Sequence, residues 1–305
     1  MLYEKLVAPV RGELSNELII VPDGVLGYVP FEALLSKSPG RMGVFTSYPY
    51  LLNDYRISYC YSATLLKEMR EKQHRSKPKK SVLATAPFFR GNAQALHPRS
   101  EFWAINEVKR DSLQALDASG EEVAFVSRLW NGTSIFGSFA SLDTFRQLAG
   151  HYRILHLSTH GKADDRAGDF AYLAFGVPGK ADGFEKLYAR DLYNLELNAD
   201  LVVLSACETG IGKLRIGEGI IGLTRGFAFA GAKSLVTSLW KVNDAETRDL
   251  LEGFHTHLKN GLPKDRALQQ AKIDFMAQHR KNGGAYWHPF YWAGFIAMGD
   301  MSVIR

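Results

Sequence analysis

Two short segments of this chain carry side chains suited to covalent chemistry. One reads His156-Leu157-Ser158-Thr159-His160-Gly161, the other Leu204-Ser205-Ala206-Cys207-Glu208-Thr209-Gly210. A thiol is a nucleophile as its thiolate, and an imidazole beside it either takes the proton or, once charged, stabilises the anion. Each segment ends a short aliphatic run. If those runs are parallel neighbours in a sheet, His160 and Cys207 emerge side by side on the edge where open α/β sheets bind ligands. Gly161 lets backbone approach a substrate, and its amide, with that of Cys207, is a candidate donor pair for an oxyanion. Singly, each residue has a plainer reading: a Cys at a strand end is commonly a small core hydrophobe, and a His near a turn is usually structural. The conjunction of two strand ends, adjacent glycines and this order favours a Cys-His dyad.

The elements that would position the pair follow from the apolar pattern. Segments 152–157, 201–205 and 233–239 read as buried parallel-type strands, being β-branched or aliphatic runs bounded by turn residues. Segments 18–21 and 81–85 read the same way, and 293–297 is placed to close the sheet. Helical spacing occupies 62–73, 104–117, 141–149, 217–231, 245–259 and 264–279. Alternation of the two patterns predicts an α/β fold, a three-layer sandwich with a mostly parallel central sheet flanked by helices. The segment 164–190, rich in Gly, Asp and Lys, reads as a variable region between core strands, and the basic stretch 71–80 as a solvated surface loop. Residues 1–305 read as one domain, within which 1–100 could form an N-terminal subdomain, although no linker-like stretch separates them.

Composition narrows the function. The 305 residues are 46% apolar and 23% charged, a globular average. The formal charge of +5 is a mild excess, so direct nucleic-acid binding is not expected. No apolar run approaches the roughly 18 residues a membrane helix needs, and no signal peptide is evident at the start. With two cysteines, Cys60 and Cys207, no disulfide framework is expected, and a reducing cytoplasm is the simplest setting.

Other motifs have competing readings. Gly217-Glu218-Gly219-Ile220-Ile221-Gly222 has the G-x-G-x-x-G form, yet it follows the preceding strand by about a dozen residues, too far for the tight turn of a dinucleotide fingerprint. Close helix packing is the better account of its glycines. Histidines 255 and 257 are two apart on a helix and lack metal spacing, so no metal site is expected. His156 reads as a satisfied core histidine, His288 as part of an aromatic cluster, and Cys60 as structural. Lys213 and Arg215, in a glycine-containing loop just after Cys207, are either an ordinary surface feature or an autoprocessing site.

The motifs together resemble the CHAT family, caspase-like domains often found with TPR repeats, within the caspase–gingipain–separase group. The resemblance rests on ordered blocks. Residues 18–24 through 28–34 look like the opening strand and turn, 155–161 like the histidine motif, and 205–210 like the cysteine motif. Residues 217–232, 238–244 and 288–293 resemble later blocks. The separation of His160 and Cys207, 47 residues, is also near that of the caspase pair. The resemblance implies peptide-bond hydrolysis with Cys207 as nucleophile and His160 as general acid/base, and no metal or organic cofactor. It implies a protein or peptide substrate, with control by a regulatory protein or TPR-containing partner. Trp240-Lys241-Val242-Asn243-Asp244 is similar to a separase pattern whose acidic surroundings receive a basic P1 side chain. Asp244 then pairs with substrate Arg or Lys, or it caps the following helix; one carboxylate could do both. Ser205 is a candidate for the floor of that pocket. Some CHAT proteins belong to CRISPR-associated or antiviral defence systems, which this sequence does not specify. The alternative reading is a catalytically silent CHAT-fold module that binds peptide or partner proteins.

Overall fold

The computed structural model describes residues 2–40, 45–92, 102–103, 113–162, 168–206, 218–240, 244–281 and 288–304. Its strands are β1 (Glu17–Ile20), β2 (Arg56–Tyr59), β3 (Lys80–Ala86), β4 (Phe102–Trp103), β5 (Thr133–Phe136) and β6 (Tyr152–Thr159). They continue with β7 (Gly161–Lys162), β8 (Tyr172–Val177), β9 (Lys180–Tyr188), β10 (Leu201–Ala206), β11 (Ser234–Ser238) and β12 (Phe295–Gly299). The longer helices are α1 (Ala63–Glu71), α2 (Asp117–Trp130), α3 (Leu142–Leu148), α4 (Glu218–Ala230), α5 (Asp244–Lys259) and α6 (Lys264–Lys281).

Nine strands form one sheet in the order β1-β2-β12-β11-β10-β6-β3-β5-β4. Every pairing in it is parallel except β11 with β12. The sheet is therefore two parallel blocks of opposite direction that meet at one antiparallel seam. All six strands expected from the sequence lie in it. In the central strands the aliphatic runs are buried on both faces because helices cover both sides, whereas the edge strand β1 leaves Ile19 exposed. One face, carrying Ile154, Val203 and Val236, packs on α2, α5 and α6 through Val123, Leu250, Phe254 and Leu268. The other, carrying Leu155, Leu157 and Val202, packs on α3 and α4 through Phe145, Leu223 and Phe227. The result is the expected three-layer α/β sandwich.

The N-terminal segment joins the same sheet. Its β1 and β2 extend the sheet beyond β12, and Glu32, in the turn Phe31–Ala33, makes a buried 2.9 Å ion pair with Lys272 of α6. The basic stretch after α1 is at the surface, as expected, but it is tied down. Asp200 sits 2.8 Å from His74, 3.0 Å from Arg153 and 3.3 Å from Lys233. The hydrogen bond from His74 and the charges of Lys233 and Arg153 hold its carboxyl below the usual range, outweighing the burial that would raise it. Two other regions differ from expectation. Helical spacing over 104–117 falls largely outside the described residues, and the helix there, α2, begins only at Asp117. The variable region 164–190 contains a long hairpin, β8–β9, which with β7 makes a separate three-stranded antiparallel sheet.

Of the glycines in 217–222, Gly222 serves close packing, against another segment than the sheet that was expected. A Cβ on Gly222 would lie 2.2 Å from the carbonyl oxygen of Gly168. At the far end of α4, Gly231 adopts φ +131° and closes the helix. Its N–H bonds to Ala228 O at 3.2 Å, and that of Ala232 bonds to Phe227 O at 2.9 Å.

Candidate active site

The register of β6 and β10 is the frame of the site. The two strands are parallel neighbours paired from Leu201↔Ile154 through Ser205↔Ser158 to Ala206↔Thr159. The last pair immediately precedes Cys207 and His160 in the chain. Cys207 itself lies outside the described residues, as do Lys213 and Arg215.

His160 is half-buried and held from two sides. Its Nε2 lies 2.7 Å from the backbone oxygen of Gln114. A carbonyl only accepts, so Nε2 carries the proton and the lone pair of the neutral ring is on Nδ1. Phe88 meets the imidazole edge-on with ring centroids 4.8 Å apart. The segments that carry Phe88 and Gln114 are joined: Leu116 N–H donates to Phe88 O at 3.1 Å, and Arg90 Nη2 to Leu113 O at 3.4 Å. The turn that ends β3 thus anchors the segment whose peptide orients the histidine. This orienting carbonyl was not expected from the sequence, because a backbone acceptor has no side-chain signature.

The small sheet grips the other side. Ala174 N–H of β8 donates to His160 O at 2.8 Å, and Thr159 Oγ1 donates to Ala174 O at 2.5 Å. Bonded and non-bonded pairs alternate along an antiparallel ladder. Since His160 bonds with Ala174, the next pair, Gly161 with Leu173, is non-bonded, and the Gly161 N–H points away from β8.

Ser205 is buried, 4% exposed, beside Ser158 of β6. It shares the sheet face of Val203, the face covered by α5. Asp244 is the first residue of α5; its side chain lies outside the described residues. Among the described residues no group of three His, Cys, Asp or Glu could hold a metal ion. Two of the remaining histidines, His156 and His288, meet the expectations made of them. His156 is fully buried and bonded to Glu122 at 2.6 Å, and His288 packs on Phe45 with ring centroids 4.6 Å apart. Cys60 is 1% exposed.

The profile of the CHAT domain matches residues 1–300. The chain belongs to the CHAT domain family. Tetratricopeptide repeat protein 28 of Homo sapiens is 26% identical over 98% of this chain, and that of Mus musculus is 27% identical over the same share. The chain spans 13% of the length of either protein. Among solved structures, separase in the Saccharomyces cerevisiae separase–securin complex superposes with a TM-score of 0.54 at 10% identity. That superposition covers 94% of this chain and 15% of the other. The Arg specific cysteine proteinase gingipain R gives 0.54 at 11% identity, covering 99% of this chain and 66% of the other. These likenesses establish the caspase-like fold. Among the described residues, no helix is long and apolar enough to cross a membrane.

Proposed function

We propose that this CHAT domain, residues 1–305 acting as one unit, is a cysteine endopeptidase that cleaves protein substrates after Arg or Lys. The observation that carries the reading is the in-phase end of β6 and β10. Ala206 stands beside Thr159, and these two residues directly precede Cys207 and His160 in the chain, which supports a dyad at one rim.

In this mechanism the Cys207 thiol gives its proton to Nδ1 of His160, the nitrogen left basic by the bond from Nε2 to Gln114 O. The sulfur attacks the scissile carbonyl carbon. Charge developing on the carbonyl oxygen is met by the backbone N–H groups of Gly161 and Cys207. The C–N bond then breaks as His160 returns the proton to the departing amine. Water, deprotonated by the same ring, releases the acyl group and restores the thiol. Asp244 at the start of α5 and Ser205 beneath the rim line the pocket that receives the basic P1 side chain. Gingipain R, whose name records arginine specificity, has the same fold, which supports that choice. The match to tetratricopeptide repeat proteins supports control by a TPR-containing partner, and a reducing cytoplasm keeps the thiol active.

Two assays test the proposal. Iodoacetamide should modify Cys207 at least about tenfold faster than Cys60, and His160→Ala should abolish the difference. A positional peptide library should show cleavage after Arg and Lys that is lost in Cys207→Ala. Equal labelling of the two cysteines, with no cleavage, would leave the silent interaction module as the correct reading.

A further inference from the structure

A chain of hydrogen-bonded side chains, closed into a ring only through the backbone of α2, lies within the apolar core beneath the rim. Trp130 Nε1 is 3.2 Å from His255 Nδ1, and His255 Nε2 is 3.1 Å from His156 Nδ1. His156 Nε2 is 2.6 Å from Glu122 Oε1. Glu122, His156 and His255 are all 0% exposed. Each bond joins a different pair of elements: α2 to α5, α5 to β6, and β6 back to α2.

The proton positions in this ring follow from one residue. An indole N–H only donates, so His255 Nδ1 accepts. His255 therefore carries its proton on Nε2 and donates to His156 Nδ1, which leaves the His156 proton on Nε2 to be donated to the Glu122 carboxylate. Every bond points the same way, and the chain ends on the Glu122 carboxyl group. Burial, with His156 alongside, also holds His255 well below the usual histidine range, in keeping with a neutral ring.

The three elements so joined are those that carry the rim. Strand β6 ends one residue before His160, and His156 and His160 fall on the same face of the chain. Helix α2 begins at Asp117, just after the segment whose Gln114 carbonyl orients His160. Helix α5 begins at Asp244. A buried polar ring has few alternative registers, because sliding any one element strands donors and acceptors away from water.

We propose that His255, His156, Glu122 and Trp130 are positioning residues that fix α2 and α5 against β6 and so set where His160 meets Cys207. The proposal rests on reading that pair as a dyad. Nitrogen-15 NMR of imidazole-labelled protein should show His156, His255 and His160 each as the Nε2–H tautomer. His255→Phe keeps the volume but removes both bonds. It should remain folded, mix the tautomers of His160, and slow alkylation of Cys207 about tenfold. His255→Gln, whose amide can accept from Trp130 and donate to His156, should restore both readouts. If His255→Phe unfolds, Trp130→Phe removes only the indole donor and is read the same way. An unchanged His160 spectrum and Cys207 rate in these variants, or no restoration by Gln, would overturn the proposal. Failure of the dyad reading looks different: wild-type Cys207 then reacts no faster than Cys60, while the tautomers still report on the ring.

Discussion

Replacing Lys272 by Met should reveal whether the N-terminal strands and the block that carries His160 unfold together. Lys272 is 1% exposed and Glu32 3%, and their contact at 2.9 Å joins parts of the chain 240 residues apart. Burial lowers the proton affinity of Lys272, partly opposed by Glu32. The carboxylate is further bound by the hydroxyl of Tyr59 at 2.5 Å, and that hydroxyl accepts from Phe31 N–H at 2.9 Å. Removing only the cation leaves a buried carboxylate with one donor, a loss of about 3–5 kcal/mol. A domain of this length unfolds with an entropy of roughly 0.6 kcal/mol/K, so the midpoint should fall by about 5–8 °C. Calorimetry should show one transition moving as a whole, because Glu32 sits beside β2 and Lys272 on α6, on opposite sides of the proposed subdomain boundary. Adding Glu32→Gln should recover most of the loss, since the amide oxygen still accepts from Tyr59. A shift under about 1 °C, or two transitions of which one moves, would refute both the energetics and the single unit.

Two further outcomes follow from local geometry. Burial raises Glu252 of α5 from 4.5 to about 7, with Asp249, Glu122 and Glu121 adding to the rise and Arg248 opposing it. A carboxyl raised on folding stabilises the protein below its unfolded value of 4.5 and loses that contribution as pH climbs through about 7. Because the group is partly exposed, the effect should be only ~1 kcal/mol. Glu252→Gln should therefore match wild type at acidic pH and exceed it at pH about 8 in urea unfolding; a difference independent of pH would contradict this. Gly231→Ala places a Cβ 2.0 Å from Leu197 O at a φ of +131°, and should cost at least ~2 kcal/mol by denaturant midpoint. A neutral result would mean that α4 can end differently.

The strands that frame the site were legible because burial on both faces demands uninterrupted aliphatic runs, as in Leu201-Val202-Val203-Leu204. What escaped lacked that pressure. Strand β9, Lys180–Tyr188, has one face on the core through Leu187, while Lys186 on the other lies over the Tyr172 ring at 4.6 Å. Its Gly, Asp and Lys residues therefore resemble a loop. Helix α2 opens Asp-Ala-Ser-Gly, a sequence of low helical propensity, and is held by tertiary burial of Val123, Ala124 and Val126. The strand ends and the glycine beside His160 could be read, but the Gln114 carbonyl could not, since its identity as a partner comes from the fold. His156 announced a buried polar role by sitting inside an apolar strand. Its partners Glu122 and His255 lie 34 and 99 residues away, on helices whose facing cannot be deduced from their own periodicity.

The antiparallel seam gives the two cysteines a built-in comparison. Strand β2 ends at Tyr59, directly before Cys60, and β10 ends at Ala206, directly before Cys207. These strands belong to opposite blocks of the sheet, so their carboxyl ends lie on opposite edges. Global unfolding exposes both thiols alike. Under the proposed dyad, chemistry at the His160 rim accelerates one alone. The ratio of the two labelling rates therefore separates an activated thiol from a loosened fold. A variant that lowers the ratio without raising Cys60 labelling has disturbed the rim while leaving the N-terminal block in place.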